Sequence, residues 1–209
     1  MKHFTTMRKT LKIFLILCVI VSNTEFIGWG QTNEEGVLIN GVRWATRNVD
    51  KPGTFTAKPE DAGMLYQWGS KVGWSSTDSL YASDGISSWR DLSEFGEVWL
   101  REKDPCPKGW RVPTKAEMES LISSGSEWKQ KNDINGRWFH NEKLFFPIAG
   151  SRDFKSAKLK GVGGGYYWSN TPSTNASAHY LGFYSAKVFS PDEYGSARGC
   201  GHLVRCVKE

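Results

Sequence analysis

The clearest hydrophobic pattern in the chain is a pair of short, largely apolar runs on either side of a tight turn. Val37–Ile39 and Val42–Trp44 flank the dipeptide Asn40-Gly41. Asn-Gly favours the two left-handed conformations that a type I′ turn requires, and this turn joins neighbouring antiparallel strands. The pattern therefore predicts a β-hairpin over these residues.

A second pattern predicts one helix of moderate length. Three apolar residues follow Pro113 at helical spacing: Met118, Leu121 and Ile122. Thr114 and Glu117 stand three residues apart just before them, which is the spacing of a capping box. Gly125 suits the position after the last turn. We predict a helix from about residue 115 to about residue 123.

The remaining apolar runs are short and separated by turn residues, which predicts strands. They are Met64–Trp68, Leu144–Ala149, Tyr166–Ser169, Ala178–Tyr184, Lys187–Phe189 and Leu203–Val207. Pro147 places its run near a sheet edge or a strand end. Residues 69–100 show no clear period and are interpreted as a long loop, which is often functional. The predicted fold class is α+β, with short antiparallel strands, one or two helices and long loops.

The first thirty residues have the pattern of a signal peptide. Basic residues precede the apolar stretch Ile13–Val21, and two glycines stand at −3 and −1 relative to Gln31. A retained membrane anchor is the alternative, but the apolar stretch is short for a membrane span. Cys18 follows Leu17 rather than a small residue, so a lipoprotein signal is disfavoured.

Cleavage before residue 31 changes both the size and the charge of the protein. The mature chain has 179 residues: a polar stub at 31–36 and one domain at 37–209. Its net charge is +2 instead of +5, because the leader holds four basic residues and Glu25. We therefore expect export through the Sec pathway to the cell surface, periplasm or medium, with no nucleic-acid partner and no retained membrane span.

Three cysteines remain after cleavage: Cys106, Cys200 and Cys206. An exported compartment is oxidising, which favours one disulfide and one thiol. The residues alone leave all three pairings open.

Several segments together resemble the Fibrobacter succinogenes major paralogous domain, a family of exported bacterial modules. The most specific is Cys106–Thr114, which reads Cys-Pro-Lys-Gly-Trp-Arg-Val-Pro-Thr. The others, in the same order as in the family, are Asn40–Asn48, Gly63–Trp68, Tyr167–Asn170 and Val204–Val207.

The resemblance implies a C-type lectin-like fold, in which strands near the two ends pair and long loops lie above them. The hairpin around Trp44 would then lie near Leu203–Val207, and Cys106 would be bridged to Cys206. Cys200 has no family counterpart, and residues 69–100 are longer than usual in the family. Members are often at the cell surface, some accompany fimbrial or adhesion proteins, and they share no established biochemical activity.

Seven of the nine tryptophans of the mature chain fall into two groups. Four are expected in the core: Trp44, Trp68, Trp110 and Trp168. Three lie in the unassigned loop and are candidates for stacking on a sugar: Trp74, Trp89 and Trp99.

A calcium site is a weaker candidate. Trp168-Ser169-Asn170 resembles the Trp-Asn-Asp piece of sugar-binding C-type lectins, although Ser169 replaces an oxygen-rich amide. Calcium takes six to eight oxygen ligands. Asn170, Asp192 and Glu193 are the only nearby candidates, so we expect no obligatory cofactor, with calcium as the alternative.

Two further chemistries centre on Cys200. With His202 and Cys206 it would form a small zinc cluster, but a second ligand pair at the usual spacing is missing from the sequence. With His179 or His202 as a base it would form a nucleophile pair. A thiol with no catalytic role is the simpler interpretation, so we expect no enzymatic activity.

Two tripeptides have the form of glycosylation acceptors. Asn175-Ala176-Ser177 fits the N-linked sequon, which exported bacterial proteins seldom use. Asp78-Ser79-Leu80 resembles the Asp-Ser/Thr-apolar acceptor of some bacterial O-glycosylation systems.

These features favour an exported, non-catalytic binding module on the bacterial surface, with a glycan or a protein as its ligand and a role in adhesion. The first alternative is an accessory or tip subunit in the assembly of a surface fibre such as a fimbria. The second is an enzyme, because formylglycine-generating enzymes share a related fold, but their paired active-site cysteines are missing from this sequence.

Overall fold

The computed structural model describes residues 35–90, 96, 98–191, 193 and 195–209. These residues form short, mostly antiparallel strands and one short α-helix, a small, mostly β form of the α+β class. Helix α1 covers Lys115–Ser123, and a 3₁₀ turn covers Arg101–Lys103. The strands are β1 (Val37–Ile39), β2 (Val42–Trp44), β3 (Leu65–Gln67), β4 (Gly73–Trp74), β5 (Trp110–Arg111), β6 (Ser126–Trp128), β7 (Gly136–Phe139), β8 (Leu144–Pro147), β9 (Ser151–Arg152), β10 (Leu159–Lys160), β11 (Gly165–Pro172), β12 (Ser177–Phe183), β13 (Val188–Phe189), β14 (Gly195–Ala197), β15 (Gly201–His202) and β16 (Val207–Lys208).

The predicted leader at residues 1–30 lies outside the described residues, as do residues 31–34 of the predicted stub. Within the described part of the chain, no helix has both the length and the apolar character needed to cross a membrane.

The two ends of the domain meet in one four-stranded sheet, here called the terminal sheet, with the order β1-β2-β16-β5. The predicted hairpin is confirmed: β1 pairs antiparallel with β2, and Asn40 and Gly41 have φ angles of 48° and 81°. Val207 of β16 then pairs with Trp44 of β2, as the family resemblance implies.

A disulfide joins Cys106 to Cys206 beside the terminal sheet and confirms the pairing that the resemblance implies. The two Cα atoms lie 6.1 Å apart although the residues are separated by 100 positions in sequence. In the chain-entropy model, closing a loop of this length contributes about 4–5 kcal/mol. Cys200 remains a free, half-buried thiol.

Helix α1 has the predicted bounds and the predicted cap. The Thr114 side chain accepts a hydrogen bond from the Glu117 backbone N–H at 3.2 Å, and the Glu117 carboxylate accepts one from Thr114 N at 2.7 Å. Arg111 of β5 adds two hydrogen bonds to the Glu117 carboxylate, at 2.6 and 2.8 Å. Burial raises the pKa of Glu117, but these hydrogen bonds outweigh it and the net pKa is lowered.

The main core lies where α1 meets the terminal sheet and the strands behind it. Its fully buried members include Trp44, Met118, Phe146 and Tyr167. The Phe146 and Tyr167 rings meet edge to face with centroids 4.6 Å apart. The four tryptophans predicted for the core are all buried, none more than 4% exposed, although only the first belongs to this cluster: Trp44, Trp68, Trp110 and Trp168.

A five-stranded sheet, the middle sheet, has the order β10-β9-β15-β3-β4 and supports the loops above it. The predicted loop at 69–100 contributes β4 to this sheet, and Trp74 makes a further bridge to Ala82. The other two sheets are β11-β12-β13, with β14 paired to β12, and β6-β7-β8. In the last of these, Pro147 ends the edge strand β8, as predicted.

The predicted final strand at Leu203–Val207 is wrong in its bounds. The chain instead forms β15 and β16, with a non-repetitive crossing between them. The crossing is held by the fully buried Arg205, whose guanidinium donates to Asn48 Oδ1, Ala45 O and Phe145 O. The strand is broken because the chain passes there from the middle sheet to the terminal sheet.

Candidate functional site

An open cleft of about 400 Å³ lies between two loops at one end of the middle sheet. One wall comes from the segment before β3 and the other from the loop after β4. The cleft is lined by Asp50, Lys51, Thr56, Ala57, Asp61, Gly63, Met64, Ser75, Ser76 and Tyr81.

The first wall is fixed by hydrogen bonds between backbone groups and by a close approach at Gly63. Asp50 N donates to Thr54 O at 3.0 Å, and the Tyr66 hydroxyl donates to the Asp50 carbonyl. Gly63 has a φ of +74°, and a Cβ there would lie 2.3 Å from Val49 O. Only glycine fits this position, because a side chain would push the two sides of the wall apart.

The second wall, residues 75–81, is held from beneath by Arg152 of β9. The Arg152 guanidinium donates to Ser75 O at 2.8 Å, to Ser75 Oγ at 2.9 Å and to Thr77 O at 2.5 Å. It also donates to Ala157 O at 2.5 Å, five positions further along its own segment of the chain. One side chain thus ties the loop to β9, more than seventy positions away in sequence.

Arg152 is only 1% exposed, and in the described structure it makes no ion pair with a carboxylate. Burial therefore lowers its pKa, and the negative charge of Asp78 opposes this only in part. A buried charge of this kind is tolerated when its donors are all hydrogen-bonded. The 75–81 loop provides most of those acceptors, so loop and arginine depend on each other.

The cleft presents unused hydrogen-bond acceptors beside an exposed ring. Among the described residues, the Asp50 carboxylate receives no hydrogen bond, and the Asp61 carboxylate receives only one, from Lys58 N at 2.9 Å. The Tyr81 side chain is 56% exposed. Ser75 Oγ, in contrast, is already occupied by Arg152, the Ser79 carbonyl and Tyr81 N.

The three tryptophans predicted to bind a ligand do not share one exposed surface. Trp74 is 3% exposed and packs edge to face on Trp89, with ring centroids 5.1 Å apart. Trp89 is half-buried and donates its indole N–H to Phe154 O at 2.9 Å. Trp99, also half-buried, packs on Trp68 at 5.7 Å. Trp74 therefore has no open face for stacking, because its ring packs within the fold beside Trp89.

Two of the residues predicted for calcium lie in different segments: Asn170 in β11, and Glu193 between β13 and β14. Asn170 is half-buried at β11, its N–H donates to Pro113 O at 2.8 Å, and its side-chain oxygen accepts from Thr171 Oγ1 at 3.3 Å. Glu193 pairs with Lys187 at 3.1 Å. Asp192 lies outside the described residues. No cluster of three or more His, Cys, Asp or Glu suited to a metal occurs within the described ranges.

The zinc and nucleophile hypotheses around Cys200 meet specific obstacles. Cys206 is bonded to Cys106, so its sulfur is not available to a metal. Ser196 hydrogen-bonds His202 Nε2 at 2.8 Å and also contacts the Cys200 thiol, so the fold does bring these groups together. The His179 ring is hydrogen-bonded to Pro191 O at 2.7 Å.

The pKa shifts in this cluster do not favour thiol catalysis. Burial raises the pKa of the Cys200 thiol, and burial lowers the pKa of His202 to about 3. A reactive cysteine needs a lowered pKa, and a general base works best with a pKa near the working pH. His202 instead packs among aromatic rings, with the Trp168 ring centroid 4.1 Å away.

The cleft residues Asp50, Asp61 and Tyr81 were not identified from the sequence. They lie up to 31 positions apart and match no ligand motif. The one available signal was the length of the 69–100 loop, which contains Tyr81 but was interpreted through its tryptophans.

No protein-family model matches this chain, and neither does any curated protein or solved structure.

Proposed function

We propose that this protein is an exported, non-catalytic binding module and that the cleft between the two loops binds a glycan. The observation that carries the proposal is the pairing of unused carboxylate oxygens at Asp50 and Asp61 with the exposed ring of Tyr81.

This combination suits the two kinds of surface that a sugar offers. Sugar hydroxyls donate hydrogen bonds, and a carboxylate is a strong acceptor because charge-assisted hydrogen bonds exceed neutral ones. The C–H faces of a sugar ring pack on an aromatic ring, as at Tyr81. The walls are also preorganised by Gly63 and by Arg152, which reduces the entropy lost on binding.

The family resemblance supports the same function. A C-type lectin-like fold has paired ends and long loops that form the binding surface. In this chain the ends meet in the terminal sheet, and the cleft is formed by loops. Calcium-dependent binding near Asn170 remains a second prediction, distinguished from the cleft by its need for the metal.

The test is a glycan array probed with residues 31–209, once with Ca²⁺ and once with a chelator. We expect binding in both conditions, and Tyr81→Ala is expected to weaken the affinity about 3- to 10-fold through lost stacking. Tyr184→Ala is the matched control, because Tyr184 is also an exposed tyrosine but lies away from the cleft.

Each of the other outcomes would indicate a different site or a different function. Binding that disappears with the chelator would move the site to Asn170 and its neighbours. An array that stays blank in both conditions would count against a glycan ligand and favour a protein ligand or a role in fibre assembly. Co-purification from native envelopes would then separate those two roles.

A further inference from the structure

We propose that Ser79 is an O-glycosylation site, at which the side-chain oxygen carries a glycan through the sugar C1 carbon. The proposal rests on the export proposed above, because it places the modification in an exported compartment. It begins from the tripeptide Asp78-Ser79-Leu80, which resembles an Asp-Ser-apolar acceptor.

The fold presents all three residues of this tripeptide to solvent. Asp78 and Ser79 are exposed, and Leu80 is 45% exposed although it is apolar. An enzyme that reads the three side chains together requires all of them to be accessible.

The Ser79 hydroxyl also differs from those of Ser87 and Ser156, each of which is bound to a nearby aspartate. Ser87 Oγ donates to Asp84 at 2.5 Å, and Ser156 Oγ donates to Asp153 at 2.8 Å. Short polar side chains in turns commonly form such local bonds. Within the part of the chain that the structure describes, Ser79 Oγ forms no hydrogen bond.

The backbone at Ser79 is held while its side chain is free. The Ser79 carbonyl accepts hydrogen bonds from Ser75 Oγ and, at 3.4 Å, from Arg152. The acceptor therefore projects from a fixed base, which reduces the conformational entropy that a transferase must remove on binding it. Ser79 belongs to the loop that forms one wall of the cleft but is not among the residues that line it.

The other candidate acceptor is presented differently. Asn175 is exposed, but Ser177 of its sequon begins β12 and pairs with Ala197 of β14. Part of that sequon is therefore built into a sheet, whereas Asp78-Ser79-Leu80 lies outside the strands.

The reaction is a glycosyl transfer with no change in oxidation state. Ser79 Oγ attacks C1 of an activated donor, a glycan linked through C1 to a lipid diphosphate. The O–C1 bond forms as the bond from C1 to the phosphate oxygen breaks, and the diphosphate leaves with the electron pair. The serine proton passes to a base of the transferase.

The experiment is mass spectrometry of the full-length protein expressed in its native host and purified from the envelope. Trypsin cleavage after Lys71 and Arg90 releases a peptide of residues 72–90 that contains Ser79. We expect this peptide to carry a glycan mass, and electron-transfer fragmentation to place it on Ser79. Ser79→Ala and Asp78→Asn are expected to abolish the added mass, whereas Ser79→Thr retains it.

Thr77→Ala is the matched control, because it removes another hydroxyl from the same exposed loop and is expected to leave the glycan in place. A glycan located on another residue of the peptide, or one that survives Asp78→Asn, would overturn the proposal. A bare peptide from a protein that begins at Gln31 would overturn the glycosylation alone. A bare peptide from a chain that still begins at Met1 would overturn the proposed export as well.

Discussion

The terminal sheet and the 75–81 loop both connect distant parts of the chain, but they do so through different interactions. The terminal sheet uses strand pairing and the Cys106–Cys206 disulfide. The loop uses one buried guanidinium, Arg152, bonded to carbonyl and hydroxyl oxygens. The disulfide constrains the unfolded chain as well as the folded one, whereas the strand pairing and the arginine act only in the folded state.

Other buried arginines hold neighbouring segments in the same way, by donating hydrogen bonds to backbone carbonyl groups. Arg198 donates to Ser177 O, Gly96 O and Thr174 O, and its guanidinium lies 4.3 Å from the Trp68 ring centroid. Arg137 donates to Tyr184 O and Ser185 O. An arginine suits this task because its planar fork offers five donors in fixed directions, so one side chain can hold several carbonyl groups.

The largest effect is expected at the terminal sheet. Replacing both bridged cysteines, as Cys106→Ser with Cys206→Ser, removes the closed loop and is expected to lower the free energy of unfolding by about 4–5 kcal/mol. Urea denaturation measures it. Cys200→Ser is the control, because this thiol is unbridged, and a similar loss there would show that thiol packing rather than the bridge stabilises the fold.

A smaller and more local effect is expected from Arg152→Met, which keeps most of the buried volume but leaves the loop oxygens without donors. We expect a loss of about 3 kcal/mol, together with faster amide hydrogen exchange over residues 75–83. Exchange in the terminal sheet is expected to change less. Lys158→Met is the control for loss of a charge at an exposed position. Equal acceleration in both regions would show that loop and sheet unfold as one unit.

The smallest effect is expected at the start of α1. Thr114→Ala removes the acceptor for Glu117 N and is expected to cost about 1 kcal/mol, measured as a shift in the urea midpoint. Thr114→Ser keeps the oxygen and is expected to retain most of the stability. Ser120→Ala, within the same helix, is expected to be nearly neutral, and a matching loss there would point to packing instead of the cap.

The parts of the fold that the sequence predicted are those that depend on residues close together in the chain. The hairpin turn at Asn40-Gly41 and the cap at Thr114 depend on neighbours within a few residues, so both were predicted with their bounds. The disulfide followed from a family resemblance, since the cysteines alone left three pairings open. The break between β15 and β16 was missed because it depends on Arg205 and its distant partners.

The candidate site was harder to predict from the sequence, because it depends on contacts between distant segments. The sequence marked the long loop after β4 as a candidate region and its tryptophans as stacking surfaces, and it did not identify Tyr81. In the fold, Trp74 is buried while Tyr81 is exposed. The loop between these two residues is held against β9 by Arg152. That contact joins Arg152 to residues 75–79, and nothing in the local sequence of either segment indicates it.

The disulfide has a mechanical consequence for a protein pulled from its two ends. Force passes along the chain from the first hairpin to Cys106, crosses the bridge to Cys206 and leaves through the last residues. The 100-position loop between the cysteines carries no tension, so about 330–360 Å of extended chain stays withheld. The residues that line the cleft all precede the bridge, whereas Arg152, which supports the 75–81 wall, lies inside the shielded loop. Tension on the ends would therefore separate the walls of the cleft from the arginine that supports them while most of the chain remained unextended.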